Sequence, residues 1–120
     1  MSKSLVTING MATAKEAADR MRAERVSAMI VEKRDENDAW GLIAVLDLIE
    51  GVIIPGRSFE DVHVYEIMTK PVITVPADMD IRYVARLLHR AGIRRAPVEE
   101  CGKLLGIIVL RSLILDHDIF

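Results

Sequence analysis

Gly92-Ile93-Arg94-Arg95-Ala96-Pro97-Val98, followed after a polar turn by Gly106-Ile107-Ile108-Val109-Leu110-Arg111-Ser112-Leu113, reads as a short buried strand, a turn, and an apolar strand running into a helix. The chain writes that pattern twice. The earlier copy is Arg25-Val26-Ser27-Ala28-Met29-Ile30-Val31, a longer polar turn, and Gly41-Leu42-Ile43-Ala44-Val45-Leu46-Asp47-Leu48. Working outward, a helix-like stretch precedes each copy. Before that stretch stands Leu5-Val6-Thr7-Ile8 in one case, and Ile67-Met68-Thr69 with Val72-Ile73-Thr74-Val75-Pro76 in the other.

The register is countable. An offset of 67 pairs Thr7 with Thr74, Ala14 with Ile81, Ala17 with Val84, Met21 with Leu88, Val26 with Ile93 and Val31 with Val98. From Gly41 and Gly106 onward the offset is 65, so the earlier copy has two extra residues in its turn Lys33-Arg34-Asp35-Glu36-Asn37-Asp38. A surface turn is where the chain absorbs such an insertion at least cost. The repeat is therefore real, and each unit is expected to run strand, helix, strand, strand, helix. Thr13 with Glu16 makes a capping-box pattern at the first helix, and Asp80 is a good N-cap for its counterpart. Gly92 stands where a helix C-terminal glycine belongs. Asp47–Ile54 and Arg111–Ile119 are expected to be closing helices. Pro55-Gly56 breaks the first of these. The expected fold class is α/β (α+β), with repeat 1 over residues 1–55, a linker over 56–64 and repeat 2 over 65–120.

Composition narrows the function. Aromatic residues make up 4% of the chain, too few for base-stacking platforms, and a formal charge of −2 gives no general attraction to polyanions. Nucleic-acid binding is therefore not expected. One cysteine, Cys101, excludes an internal disulfide and suits a reducing cytoplasm. No apolar stretch approaches the roughly 20 residues of a membrane span, and no signal peptide opens the chain. A cytoplasmic location follows as an expectation.

In their order, spacing and duplication these strings resemble a tandem pair of CBS domains, often called a Bateman module. In the second repeat the resemblance rests on Ile67-Met68-Thr69, Ile73-Thr74-Val75-Pro76-Ala77-Asp78, the Gly92–Val98 strand and Gly106-Ile107-Ile108. In the first it rests on Arg25-Val26-Ser27-Ala28 and on Gly41-Leu42-Ile43 running to Asp47-Leu48. It covers nearly the whole chain. It implies two β-α-β-β-α repeats packed about a pseudo-twofold axis, with two related clefts that commonly take AMP, ADP, ATP or S-adenosylmethionine. No cofactor is required. The family pattern around the ribose is Gly-apolar-apolar-Thr/Ser-x-x-Asp, in which the aspartate accepts from the ribose hydroxyls. Carried over, one cleft would use Asp47, with Ala44 at the Thr/Ser position, together with Thr69, Thr74, Ile93 and Arg94. A second, weaker site would draw on Val26, Ser27 and Arg111, with Val109 and Ser112 at the Thr/Ser and Asp positions.

Each of these residues also has a plainer reading. Asp47 would cap the helix that starts there, a role compatible with ribose binding. Arg94 and Arg95 alternate along a strand, so at most one faces a cleft. The turn Lys33–Asp38 reads as solvated. Lys15, Glu16, Asp19, Arg20, Arg22 and Glu24 read as a wet helix face, and Met11, Met21 and Met29 as packing. His63, His89 and His117 show no ligand spacing, and Asp116-His117-Asp118 reads as a chain end rather than a metal site. No Gly-x-Ser-x-Gly, Walker loop, Cys-x-x-Cys or His-Glu-x-x-His is present, so no enzymatic activity is expected.

The functional expectation is a regulatory module that senses an adenosyl ligand and signals to an unknown regulated protein or a fused domain. The alternative is a ligand-free dimerisation or docking scaffold. Leu113, Ile114 and Leu115, with Ile49, Val52 and Ile53, are the candidate homodimer surface. The sequence leaves open whether the chain is full-length or an excised module, since only Met1-Ser2-Lys3-Ser4 precedes Leu5.

Overall fold

The computed structural model describes residues 5–115. The first repeat begins with β1 (Thr7–Ile8), α1 (Ala14–Glu24), β2 (Ala28–Val31) and β3 (Gly41–Ala44), which runs directly into the short helix α2 (Val45–Leu48) and a π-helical stretch over Ile49–Ile53. A one-turn helix, α3 (Val64–Ile67), follows. The second repeat comprises β4 (Val75–Pro76), α4 (Ile81–Ala91), β5 (Arg95–Glu100), β6 (Lys103–Val109) and α5 (Ser112–Leu115). Each repeat owns a three-stranded sheet, ordered β1-β2-β3 and β4-β5-β6. The fold is thus mixed α/β, as the repeat pattern predicts.

The strand pairings reproduce the sequence register. Ile8 lies opposite Val31 in the parallel pair of the first sheet, and Val75 opposite Val98 in the second. In the antiparallel pairs Val31 faces Gly41 and Ala28 faces Ala44, while Val98 faces Gly106 and Arg95 faces Val109. All of these are the pairs the offsets of 67 and 65 join. The turns differ as the inserted residues require. Cys101 and Gly102 alone close the second hairpin, with φ of 51° and 79°, and two successive positive φ values suit a tight hairpin's twist.

The long helices are punctuated from the sequence. Thr13 Oγ1 accepts from the Glu16 N–H at 3.1 Å, and Asp80 Oδ1 accepts from the Arg82 N–H at 2.8 Å. α4 ends on Gly92 in the left-handed region (φ 68°), a conformation glycine adopts without steric cost. α1 ends on Arg25 in the same region (φ 55°), where a side chain is strained.

Contacts divide the chain into one compact unit over Val6–Val72 and another that begins at Ile73 and takes in Leu5. The first core gathers Met21, Met29, Val31, Ile43, Leu48 and Val52, and the second Val75, Val84, Leu88, Ala96, Val98 and Leu113. Full burial of side chains of this size contributes roughly 1.5–3 kcal/mol each before conformational entropy is set against it. Val62 and Val64, which fall in the stretch expected to be a linker, are fully buried in the first core. The chain between the repeats is therefore structural there.

One expectation about the closing helices is corrected. The first closing helix is α-helical for only its first turn. Its later bonds run five residues back, Ile54 N–H to Ile49 C=O and Arg57 N–H to Val52 C=O, both at 2.9 Å. Close approach of α3 accompanies this winding: a Cβ on Gly51 would lie 2.5 Å from Ile67 Cγ2. The second closing helix is described as far as Leu115. Asp116-His117-Asp118 lies outside the described residues.

Candidate functional site

Asp47 is the third residue of α2, and its carboxylate turns back to accept the Ala44 N–H at 2.8 Å. Ala44 is the N-cap, in extended backbone (φ −126°, ψ 167°). This is one half of a capping box. The acid serves the cap residue's N–H, but the Ala44 methyl has no oxygen to offer the opposite N–H. The family's Thr/Ser-x-x-Asp spacing is thus a helix-start geometry in this chain, with the hydroxyl half deleted. Asp47 itself is half-buried. A carboxylate offers about four lone-pair sites to N–H and O–H donors.

The start of α2 is tied to β2. Val45, its first residue, donates its N–H to the Ser27 carbonyl at 3.0 Å. Leu110 donates to the Arg94 carbonyl at 2.6 Å in the second repeat, and the two bonds are equivalent in the repeat register. Thr69 joins the other edge of β3, exchanging both backbone hydrogen bonds with Leu42 at 2.9 Å. The structure therefore brings Val26, Ser27, Ala44, Asp47 and Thr69 into one unit. Thr74, Ile93, Arg94, Val109, Arg111 and Ser112 belong to the other. These hydrogen bonds join each helix start to the strand of its own repeat, whereas the sequence reading drew each aspartate position with the strand of the other repeat. Arg94 is exposed and Arg95 half-buried, so of the two arginines Arg94 is the one available to an anion.

Each unit also carries a depression at the C-terminal ends of its parallel strands. In the first unit a cavity of about 420 Å³ opens among Asn9, Met11, Val31, Lys33, Tyr65 and Lys70. None of the predicted binding residues lines it. In the second unit a depression of about 480 Å³ is lined by Thr74, Pro76, Asp78, Glu99, Glu100 and Cys101. Sequence reasoning passed over the first of these because Met11 was read as packing. Met11 is in fact 69% exposed, while Met21 and Met29 are buried as expected. A signal was available: Met11 aligns with Asp78, so the fold does not need an apolar residue there.

Beside that cavity, Asp38 is not a solvated turn residue. Its side chain is 8% exposed and accepts from Lys70 Nζ at 2.5 Å and from the backbone N–H of Arg34 at 2.8 Å, with Arg34 Nε at 3.2 Å. The Lys70 ammonium, then the Arg34 N–H, hold its carboxyl far below the usual carboxylate range. Lys33 lies over the Trp40 ring, 5.2 Å from its centroid. The α1 charges are a wet face as expected, with Lys15–Asp19 at 3.1 Å and Arg20–Glu24 at 3.7 Å.

The candidate assembly surface needs revision. Val52 and Leu113 are core residues, 0% and 5% exposed. Ile49, Ile53, Ile114 and Leu115 are exposed, and Leu46 and Ile54 join the apolar surface of the first repeat at 59% and 71%. Among the described residues, no helix is long and apolar enough to cross a membrane.

Residues 1–53 and 64–115 match the CBS domain family. An uncharacterised protein of Methanopyrus kandleri is 35% identical over 93% of this chain, and a mitochondrial CBS domain-containing protein of Arabidopsis thaliana 29% identical over 88%. The chain spans 57% and 54% of those two proteins, about half the length of each. The fold is similar to that of a hexameric CBS-CP12 protein from bloom-forming cyanobacteria, with a TM-score of 0.90 and 40% identity over 96% of this chain and 63% of the other. The chain belongs to the CBS domain family and carries two CBS domains in tandem. Such pairs are typically regulatory modules.

Proposed function

We propose that the module senses an adenosyl compound, AMP, ADP, ATP or S-adenosylmethionine, and that Asp47 receives the ribose hydroxyls. The observation that carries this reading is the Asp47 carboxylate, fixed by the Ala44 N–H at the start of α2 in a chain with the family's spacing. A diol meeting a fixed carboxylate makes charge-assisted hydrogen bonds, which are the stronger kind. Thr69 and Ser27 flank that helix start in the same unit, and Arg94 is the exposed cation the proposal assigns to phosphate. Thr74 and Ile93 complete the proposed lining, and Val26, Val109, Arg111 and Ser112 the weaker second site. Ligand binding would bias the packing of the two repeats, by no more than its differential affinity for the two arrangements. A partner or fused domain would read that bias.

The test is a thermal-shift series with AMP, ADP, ATP, NAD, S-adenosylmethionine and GTP as the guanine control, run on the parent, Asp47→Ala and Asp47→Asn. A ligand at a hundred times its Kd adds about 2.7 kcal/mol, which raises the Tm visibly. The amide of Asn keeps an oxygen for the Ala44 N–H, so Asp47→Asn separates loss of charge from loss of the cap. A selective shift that both variants abolish is the expected result. No shift with any adenosyl compound at millimolar concentration overturns the reading.

A second reading has its own observation. Leu46, Ile53 and Ile54 are an exposed apolar group beside α2, and Ala44 lacks the hydroxyl of the family pattern. Together with the hexameric relative, these support a homo-oligomeric scaffold. It predicts an oligomer indifferent to nucleotides, which sedimentation of the parent and of Leu46→Glu/Ile53→Glu would reveal. A monomer at high concentration counts against it.

A further inference from the structure

The cavity of the first repeat lies away from Asp47. β3 is antiparallel to β2, so Ala44 stands opposite Ala28 at the beginning of β2, and Asp47 follows it at that end. The cavity lies at the other end of β2, where Val31 closes the strand and Lys33 and Arg34 leave it. Asn9, Gly10 and Met11, just beyond β1, form one wall. Tyr65 of α3, with Met68 and Lys70 after it, forms another.

Its surface is mainly apolar. Gly10, Met11, Val31 and Met68 supply aliphatic and thioether area, and Tyr65 supplies a ring that stacks on His63 at 5.5 Å with an interplanar angle of 18°. The charges are not balanced. Lys33, Arg34 and Lys70 line the cavity, and Glu32 with the neighbouring Asp38 are the carboxylates against them. Three cations against two anions leave a surplus of one positive charge. A volume of about 420 Å³ is of the size that holds a small molecule.

The second repeat provides an internal control. The same strand ends, in the same register, are lined by Ala77, Asp78, Glu99, Glu100 and Cys101. Asp78 stands for Met11, and Glu100 and Cys101 follow Glu99 as Lys33 and Arg34 follow Glu32, in turns of different length. The fold is therefore built equally well with an acidic lining. An apolar and cationic lining in the first repeat is not a requirement of the strands, the crossover or the core.

We propose that this cavity is a second ligand site, independent of Asp47, for a small monoanion with a flat apolar body, such as an aromatic carboxylate. The ring would lie against Tyr65, Met11 and Met68, and the anionic group would meet Lys33, Arg34 and Lys70. Charge-assisted bonds from lysine and arginine to a carboxylate supply orientation, and the apolar walls supply the burial.

The test uses three probes that share a ring and differ in charge: indole-3-acetate, neutral indole and the tryptamine cation. Each is titrated into the ¹⁵N-labelled protein, and backbone amide shifts are followed. Indole-3-acetate is expected to give saturable shifts at Gly10, Val31 and Tyr65, with tryptamine weaker by about tenfold or more. Met11→Asp/Lys33→Glu, which installs the second repeat's residues at two exposed positions, is expected to weaken indole-3-acetate by about tenfold, with amides away from the cavity unmoved. Equal shifts from all three probes, saturable shifts only elsewhere, or no saturable shift with indole-3-acetate would overturn the proposal. Asp47→Asn is expected to leave this binding unchanged.

Discussion

The two repeats lay down one hydrogen-bond register with different chemistry at its margins. Val31 opposite Gly41 becomes Val98 opposite Gly106, and the Val45–Ser27 backbone bond becomes Leu110–Arg94. Yet Thr13 caps one helix and Asp80 the other, and Arg25 ends one helix where Gly92 ends its partner. The comparison teaches that this fold depends on where apolar side chains and backbone groups fall. The polar residues at strand ends and helix starts are left to vary, and there the two halves of the module diverge.

The largest effect tests whether the cores are equivalent. Leu88→Ala empties a fully buried position and is expected to cost about 2–5 kcal/mol in urea denaturation. Met21→Ala, its register partner, should fall in the same range. A cost for Met21→Ala near zero would break the equivalence. Next is the close approach of Gly51 to α3. Gly51→Ala forces a Cβ into Ile67 and should destabilise by about 1–3 kcal/mol. Ile67→Ala in the same background should recover part of that loss.

Smaller effects sharpen the contrast at helix starts and ends. Ala44→Ser restores the missing half of the capping box and is expected to stabilise by about 1 kcal/mol. Arg25→Gly relieves the left-handed strain and should add up to about 1 kcal/mol, while Gly92→Ala should lose a similar amount. Matching signs for Arg25→Gly and Gly92→Ala would show that the two helix ends are not equivalent. The last comparison reads a slope. The Asp38 carboxyl titrates lower folded than unfolded, so its contribution is complete above the ordinary carboxylate pKa of about 3.9 and is lost as pH falls below it. Asp38→Asn should therefore flatten the fall of stability with acidification below about pH 4. An unchanged slope would return Asp38 to the solvated turn.

The register was legible because Gly41 and Gly106, and the apolar runs after them, repeat at fixed distances. The helix starts at Thr13 and Asp80 and the glycine end at Gly92 were legible because each depends on a local hydrogen bond or a local backbone angle. What escaped depends on distance or on unusual winding. Asp38 looked like a loop residue because its partner Lys70 is 32 residues away. α3 is only four residues long, too short for a periodic signal. Val52 and Leu113 were placed on the surface because their helices were read as apolar as a whole. Leu48 and Val52, four residues apart, are the positions that this stretch turns into the core. At the site, the Gly-apolar-apolar-x-x-x-Asp spacing pointed to Asp47, but as the residue capping a helix that starts there, whereas the N-cap is Ala44 and Asp47 is the third residue of α2. The grouping of Ser27 with Val45, and of Arg94 with Leu110, needed the coordinates.

The hairpin tip at Cys101-Gly102 carries a consequence for handling the molecule. Cys101 is the sole sulfhydryl in the sequence, and it is exposed on a two-residue turn. In an aerated buffer two molecules can be cross-linked through that sulfur, tip to tip, into a covalent species of twice the mass. Such a species would mimic association while owing nothing to the apolar surface beside α2. Hydrodynamic work on this chain therefore calls for a reductant, or for a serine at the tip.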